Sequence, residues 1–274
     1  MSANGRERIE RAFARARAEN RMAVAVYLTV GYPDIDSTRA LAEAAIDGGA
    51  DVIELGVPFS DPLADGATVQ RASETALRNG VTLARCIEVG AQIERERSGA
   101  AVVLMGYTNP FLQHGFARLA ADLAGASISG VIVPDMPAEE SGELDAAFGP
   151  TGLVRIDLYA PTTPDERLAR LLPSAHGFVY CVALTGVTGA RQQLGADAVD
   201  LVRRVRAHTE LPVIVGFGIS KPEHVGALRG VADGIAVGSA ALDTIARADP
   251  ARRAADLGAF VRSLRDAGAL VGAA

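Results

Sequence analysis

Glu54 is a carboxylate inside an otherwise apolar run, Ile53-Glu54-Leu55-Gly56. Because side chains alternate across a strand, we expect its carboxyl group to lie in the interior of the fold. Desolvation raises the pKa of a carboxyl group, and a raised pKa suits general acid–base catalysis near neutral pH. The alternative is a buried glutamate paired with an arginine, although the run itself contains no arginine.

Two more carboxylates, Asp61 and Asp65, follow in the loop Pro58–Gly66. Aspartate in a loop rich in proline and glycine often serves the turn itself, through hydrogen bonds to its own backbone. The position of both residues directly after the run that holds Glu54 favours a functional role beside that glutamate.

Glycine-rich segments follow three later apolar runs, at Thr185–Gly189, Gly216–Ser220 and Val237–Ala240. Backbone N–H groups at such places bind phosphate, and glycine lets the backbone approach the anion closely. The alternative is ordinary turns between strands and helices, where glycine is common. A phosphorylated small molecule is the ligand that these segments predict.

The elements that must position these residues are short β-branched runs that alternate with helical stretches. The runs are Met22–Val30, Asp51–Gly56, Ala101–Met105, Gly130–Pro134, Leu153–Leu158, Gly177–Ala183, Leu211–Phe217 and Asp233–Val237. Apolar strands separated by helices predict a parallel sheet that is covered on its outside. Eight such units in about 250 residues are typical of a (β/α)8 barrel, whose chemistry lies at the carboxyl ends of its strands.

We therefore predict an α/β fold, a single-domain (β/α)8 TIM barrel over residues 1–274. An amphipathic stretch at Arg6–Arg21 predicts an N-terminal helix, and an extra helix is expected after strand 2, around Thr68–Arg78. The alternative is an open doubly wound sheet, but no GxGxxG motif follows the first strand. No linker or low-complexity stretch interrupts the alternation.

The composition excludes several classes of protein. A net charge of −6 argues against nucleic-acid binding, which needs a basic face. The apolar run Met22–Val30 is far shorter than the roughly 20 residues that span a bilayer. Two widely separated cysteines, Cys86 and Cys181, predict reduced thiols rather than a disulfide framework, and we expect a cytoplasmic protein.

The sequence also lacks suitable residues for Schiff-base catalysis and for metal-assisted catalysis. Lys221 is the one lysine in the chain, and its Ser-Lys-Pro-Glu context predicts a surface position rather than a Schiff-base nucleophile. The four histidines are scattered outside the strand ends, so we expect no metal site. They are His114, His176, His208 and His224. Carboxylate acid–base catalysis on a phosphorylated substrate is the chemistry that remains.

The segment Glu54–Gly66, Glu-Leu-Gly-Val-Pro-Phe-Ser-Asp-Pro-Leu-Ala-Asp-Gly, resembles the signature of the tryptophan synthase α-subunit family. Similar segments cover nearly the whole chain: Tyr27–Pro33, Leu104–Pro110, Val133–Pro137, Ala160–Thr162, Thr185–Gly189, Gly216–Ile219 and Val237–Ser239. The resemblance implies a lyase that cleaves indole-3-glycerol phosphate to indole and glyceraldehyde 3-phosphate. It also implies an α2β2 assembly in which a β-subunit, which carries pyridoxal phosphate, receives the indole. The α-subunit itself is expected to need neither cofactor nor metal.

The resemblance also implies roles for individual residues. Glu54 would be the general acid–base, Asp65 would accept a hydrogen bond from the indole N–H, and Tyr180 would border the reacting carbons. The phosphate would bind at Gly189, Gly218, Gly238 and Ser239, and the indole walls would be Tyr27, Met105, Ile132 and Phe217. Thr188 and Asp61 would lie on two facing loops, with Asp61 on the one that meets the partner.

Several positions depart from the family pattern. Ala67 stands where proline is usual, so the loop before it is expected to be less rigid. Tyr27 and Ile132 replace the common phenylalanine and leucine, and Ala183-Leu184 replaces a serine-containing pair. Two other functions stay open: a stand-alone lyase that releases free indole, and a non-catalytic barrel that activates a β-subunit.

Overall fold

A computed structural model describes residues 3–97, 99–182, 191–216 and 218–270, with the backbone alone at 191–196. Its strands are β1 (Ala23–Thr29), β2 (Val52–Gly56), β3 (Ala101–Met105), β4 (Gly130–Ile132), β5 (Val154–Tyr159), β6 (Val179–Val182), β7 (Val213–Gly216) and β8 (Gly234–Val237). Its α-helices are α1 (Gly5–Ala18), α2 (Ser37–Gly48), α3 (Ala67–Arg78), α4 (Leu83–Glu96), α5 (Thr108–His114), α6 (Phe116–Gly125), α7 (Gly142–Phe148), α8 (Asp165–Leu171), α9 (Arg191–Arg206), α10 (Pro222–Gly226), α11 (Ser239–Arg247) and α12 (Arg253–Ala267). Short 3-10 helices lie at Ala138–Glu140, Gly149–Thr151 and Leu172–Ser174.

The strands form a closed parallel barrel in the order β1 to β8, and β8 pairs back onto β1. The predicted TIM barrel is therefore confirmed, and the open doubly wound sheet is wrong. Each predicted apolar run coincides with one strand, although β5 extends one residue beyond its run, to Tyr159. The strands are mostly shorter than the runs; β4, for example, ends at Ile132 rather than at Pro134, and a proline cannot donate a ladder hydrogen bond.

The N-terminal end of the barrel is covered by α1, the predicted amphipathic helix. Asn4 and Glu7 form a capping box at its start. Its apolar face places Ile9 and Phe13 in the cluster that fills the barrel interior, with the Phe13 and Phe178 ring centroids 5.4 Å apart. A ligand must therefore enter from the carboxyl ends of the strands.

Asp51, directly before β2, stabilises the pairing of β1 with β2 at the N-terminal ends of these strands. This buried carboxylate accepts hydrogen bonds from the Arg21 guanidinium at 2.6 Å and 2.9 Å, and from the Val24 N–H at 3.0 Å. The resulting register sets Tyr27 of β1 opposite Glu54 of β2. Since alternate residues face inward, both side chains lie on the interior side of the barrel wall.

The long connection between β2 and β3 holds the predicted extra helix, α3. The loop Pro58–Gly66 precedes it, and Ala67 is its first residue. Proline is common at this first helical position, because an N–H group there would have no partner within the helix. Among the described residues, no helix has the length and apolar character needed to cross a bilayer.

Candidate active site

A cavity of about 530 Å³ opens at the carboxyl ends of the strands. It is lined by Tyr27, Glu54, Ala64, Asp65, Gly66, Val69, Met105, Tyr180, Gly218, Ile219, Ser220, Ala236, Gly238, Ser239, Ala240 and Asp243. Residues from the first three strands, from β6 and from the loops after β2, β7 and β8 therefore meet around one space. This volume suits a small organic molecule.

Glu54 contributes a buried carboxyl group to this cavity. The residue is 1% exposed, and its Oε1 atom has no hydrogen-bond partner among the described residues. Burial raises the pKa of Glu54 to about 8, so the carboxyl group is mainly protonated at neutral pH. No ion pair joins it to an arginine in the described part of the chain, so the structure does not support the paired alternative.

Asp65 lies at the end of the loop after β2, two residues before α3. Burial raises its pKa to about 6, and a hydrogen bond with the Tyr107 hydroxyl limits that rise. The same hydroxyl accepts a hydrogen bond from the Ala64 N–H at 3.0 Å, and the Tyr107 ring lies 5.3 Å from that of Phe59. Tyr107, two residues after the end of β3, therefore contacts both ends of this loop, and Asp65 remains mainly ionised at neutral pH.

Two tyrosines cross the upper layer of the barrel interior, above glycines that make room for them. A Cβ atom at Gly56 would lie 2.1 Å from the Tyr27 hydroxyl oxygen, and one at Gly216 would lie 2.2 Å from that of Tyr180. Both phenols are buried, and burial raises the pKa of each. Glycine at these two positions is thus a requirement of the site, since any side chain would displace a cavity wall.

The loops after β7 and β8 form the far end of the cavity. Gly218 has φ +90°, a conformation that side chains rarely adopt, and His224 Nδ1 lies 3.3 Å from the Ser220 nitrogen. Gly238 is the N-cap of α11 and Ser239 its first residue, and within the described part of the chain no side chain caps this end. The first-turn N–H groups of a helix have no partner within the helix, so this end offers donors to an anion.

Comparison with known proteins gives one consistent result. The family model for "tryptophan synthase alpha chain" matches residues 13–268. The tryptophan synthase alpha chain of Roseiflexus castenholzii is 53% identical over 258 residues, 94% of this chain and 99% of that relative. That of Chloroflexus aggregans is 49% identical over 257 residues, 94% of this chain and 96% of that relative.

Solved structures agree. A tryptophan synthase chain from Mycobacterium tuberculosis is 37% identical with a TM-score of 0.87, over 98% of this chain and all of that one. The tryptophan synthase alpha chain of Legionella pneumophila is 31% identical with the same TM-score over the whole of both chains.

The chain belongs to the tryptophan synthase alpha chain family. The resemblance carried by the Glu54–Gly66 segment is therefore confirmed, and so is the lyase class that it implied.

The structure brings together most of the residues that the family resemblance singled out. Those that line the cavity are Tyr27, Glu54, Asp65, Met105, Tyr180, Gly218, Gly238 and Ser239. Ile132 is fully buried opposite Met105 in the strand register and is not part of the lining. Asp61 is exposed on the same loop as Asp65, outside the lining. Thr188, Gly189 and Phe217, like Ala183 and Leu184, lie outside the described residues.

Among the residues that the sequence analysis did not single out are two polar ones, Tyr107 beside the cavity and Asp243 in its lining. Tyr107 directly follows β3 and its glycine, and a position just after a barrel strand was itself a signal. Asp243 lies one helical turn beyond Ser239, where the i, i+4 spacing places it on the same face of α11. Both depend on contacts between segments far apart in the chain, which spacing alone does not reveal.

Proposed function

We propose that this chain cleaves indole-3-glycerol phosphate to indole and glyceraldehyde 3-phosphate, with Glu54 as its general acid–base. The observation that carries the proposal is the buried Glu54 carboxyl group, whose Oε1 atom has no hydrogen-bond partner among the described residues and which lines the cavity that also holds Asp65. A carboxyl group with a pKa of about 8 holds a proton at neutral pH and can still give it up.

The proposed reaction moves two protons and leaves Glu54 protonated at its end, as at its start. Glu54 donates its proton to C3 of the indole ring, and the ring nitrogen becomes positively charged. The carboxylate then takes the proton of the hydroxyl on the adjoining side-chain carbon. The carbon–carbon bond breaks, its electrons return to the ring, and the hydroxyl becomes the aldehyde. Because the protonated ring is the electron sink, neither a lysine Schiff base nor a cofactor in this chain is needed.

The other residues of the cavity would bind and orient the substrate. An ionised Asp65 accepts a hydrogen bond from the ring N–H and stabilises the charge that develops there. Its pKa of about 6 keeps it charged while Glu54 stays protonated, which separates the two roles. Tyr27, Met105 and Tyr180 supply walls for the ring, and Ile132 lies beside Met105 on the neighbouring strand. The phosphate would lie on the N–H groups of Gly218, Gly238 and Ser239, and we extend this assignment to Gly189. Thr188 and Phe217 keep the substrate-binding roles that the resemblance implies.

Indole release from indole-3-glycerol phosphate by the isolated chain tests this proposal. Glu54→Gln should lower turnover by at least about 100-fold, the usual cost of losing a general acid–base. Glu94→Gln is the matched control, because Glu94 is another buried glutamate with a pKa raised by burial, to about 7, but it lies outside the cavity. In the unmodified chain the Val102 N–H donates a hydrogen bond of 3.1 Å to Glu94, and the amide oxygen of Glu94→Gln can still accept it. Turnover of this variant should therefore stay near that of the unmodified chain. Near-normal turnover by Glu54→Gln would refute the assignment.

The family pairs with a β-subunit, and we propose that this chain does so at the rim around the cavity mouth. Leu63 is 94% exposed on the loop after β2, and Leu112 is 51% exposed on α5. Leu63 lies two residues from the exposed Asp61, and exposed apolar side chains of this size favour a protein contact. The pyridoxal phosphate would belong to that partner, and we propose a cytoplasmic location for the assembly.

Indole release measured with and without a β-subunit separates the remaining alternatives. The coupled enzyme predicts a slow isolated chain that the β-subunit accelerates, and Leu63→Asp should weaken that acceleration. A fast isolated chain that the β-subunit does not affect would instead indicate a stand-alone lyase. No turnover in either condition would indicate a non-catalytic activator.

A further inference from the structure

Asp243 is a carboxylate at the end of the cavity where the proposed function places phosphate. It lies on α11, four residues after Ser239, and it lines the same cavity as Gly238 and Ser239. Four residues of α-helix rise ~6 Å, and helical side chains lean toward the helix N-terminus. The carboxylate is therefore directed toward the helix end that would hold the anion.

The contacts of Asp243 tether its carboxylate without neutralising it. The Thr68 hydroxyl donates a hydrogen bond to Asp243 Oδ1 at 3.3 Å. Arg71 Nη2 in turn donates to the Thr68 hydroxyl at 3.1 Å, so the threonine stands between the two charges. In the described part of the chain, the ion pairs leave Asp243 without an arginine, lysine or histidine partner. An unneutralised negative charge thus faces a site for a negatively charged ligand.

We propose that Asp243 lowers the affinity of the site for phosphate, because its negative charge repels the bound phosphoryl group. The inference rests on the proposed function, in particular on the phosphate assignment at Gly218, Gly238 and Ser239. Tight uniform binding of a phosphate slows the release of a phosphorylated product without helping the chemical step. A carboxylate at the rim of that site limits such binding, and Thr68 holds it in place.

Removal of the Asp243 charge should change anion affinity in the direction opposite to that expected for a residue with only a structural role. Removing a carboxylate that only supports the loop would weaken anion binding, whereas removing a repulsive charge strengthens it. For two unit charges about 6–8 Å apart in a site that opens to solvent, with an effective dielectric constant of about 40 to 80, Coulomb's law gives a change of about 3- to 10-fold in affinity. Because the site opens to solvent, the change should shrink as ionic strength rises.

Competitive inhibition of indole release, with inorganic phosphate and with sulfate as probes, tests the proposal on the full chain. Asp243→Asn should lower the inhibition constant of both anions about 3- to 10-fold at 0.05 M ionic strength, with a smaller gain at 0.5 M. Indole, which is uncharged, should bind both proteins equally. Thr68→Val is the matched control, since it removes the tether and keeps the charge, and anion binding should not tighten.

Unchanged or weaker anion binding by Asp243→Asn would overturn the inference while leaving the phosphate assignment intact. Equal tightening toward indole, or the same tightening by Thr68→Val, would also overturn it, because neither follows from the Asp243 charge. If the unmodified chain turns over its substrate but neither anion competes, the phosphate assignment fails, and this inference fails with it.

Discussion

Replacing Glu54 with glutamine should lower turnover by at least about 100-fold and, at the same time, stabilise the protein increasingly as the pH rises. The carboxyl group is 1% exposed and its pKa is raised from 4.5 to about 8. Between these two values the unfolded chain releases the proton and the folded chain keeps it. Unfolding therefore becomes easier as the pH rises, and a glutamine, which does not ionise, escapes this loss.

The size of the effect follows from the two pKa values. Linkage between 4.5 and about 8 makes the stability advantage of Glu54→Gln about 3 kcal/mol larger at pH 8 than at pH 5.5. At about 2 °C per kcal/mol for a chain of this size, the difference in Tm between variant and parent should widen by roughly 6 °C over that range. Any fixed effect of the amide on packing cancels, because only the change with pH is used.

Thermal unfolding from pH 5.5 to 8.5 measures this, with Glu94→Gln as the control. That carboxyl group has a pKa of about 7, so its advantage should widen by only about 2 kcal/mol and level off above pH 7. Its turnover should persist. A Tm difference for Glu54→Gln that does not vary with pH would show that Glu54 titrates normally, and the acid role would lose its physical basis.

Three further predictions concern the ionised partner, the phosphate end and the loop. The value of kcat/KM should fall below about pH 6, as Asp65 gains a proton, and above about pH 8, as Glu54 loses one. Tyr107→Phe removes the hydrogen bond that lowers the Asp65 pKa, so the acidic limb of this profile should move to higher pH. An acidic limb that does not move would exclude Asp65 as the group that titrates there. Gly218→Val should raise KM at least about 10-fold with an intact circular dichroism spectrum, because φ +90° disfavours a side chain; an unchanged KM would remove Gly218 from the site. Ala67→Pro should raise the turnover rate of the isolated chain about 2- to 5-fold and reduce its stimulation by a β-subunit. Proline fits this position because Gly66 (φ −73°, ψ 164°) already has the conformation favoured before proline. A slower isolated chain would contradict this prediction.

Much of the fold could be predicted because its signals are local. Eight apolar runs at regular spacing predicted the barrel, and the amphipathic stretch at the N-terminus predicted α1. Glu54 was also visible locally, since one carboxylate interrupts a run of buried positions. Its raised pKa follows from burial alone, which the pattern of the run already implied.

What the sequence did not reveal depends on distant segments. The hydrogen bonds of Tyr107 to Ala64 and Asp65 join residues more than 40 positions apart, and that between Thr68 and Asp243 spans 175 positions. The family resemblance predicted both Met105 and Ile132 as walls of the cavity, yet of these two cross-strand neighbours Met105 lines it and Ile132 does not. Such outcomes depend on side-chain packing across strands, which periodicity does not specify.

A crystal structure of Glu54→Gln with indole-3-glycerol phosphate bound tests the central claim most directly, because the variant should hold the substrate without cleaving it. In that structure the residue 54 amide should lie within hydrogen-bond distance of the hydroxyl on the carbon next to the ring. The ring N–H should donate to the Asp65 carboxylate, and the phosphate should accept hydrogen bonds from the N–H groups of Gly218, Gly238 and Ser239. A substrate whose reacting carbons lie away from residue 54, or whose ring nitrogen points away from Asp65, would contradict it.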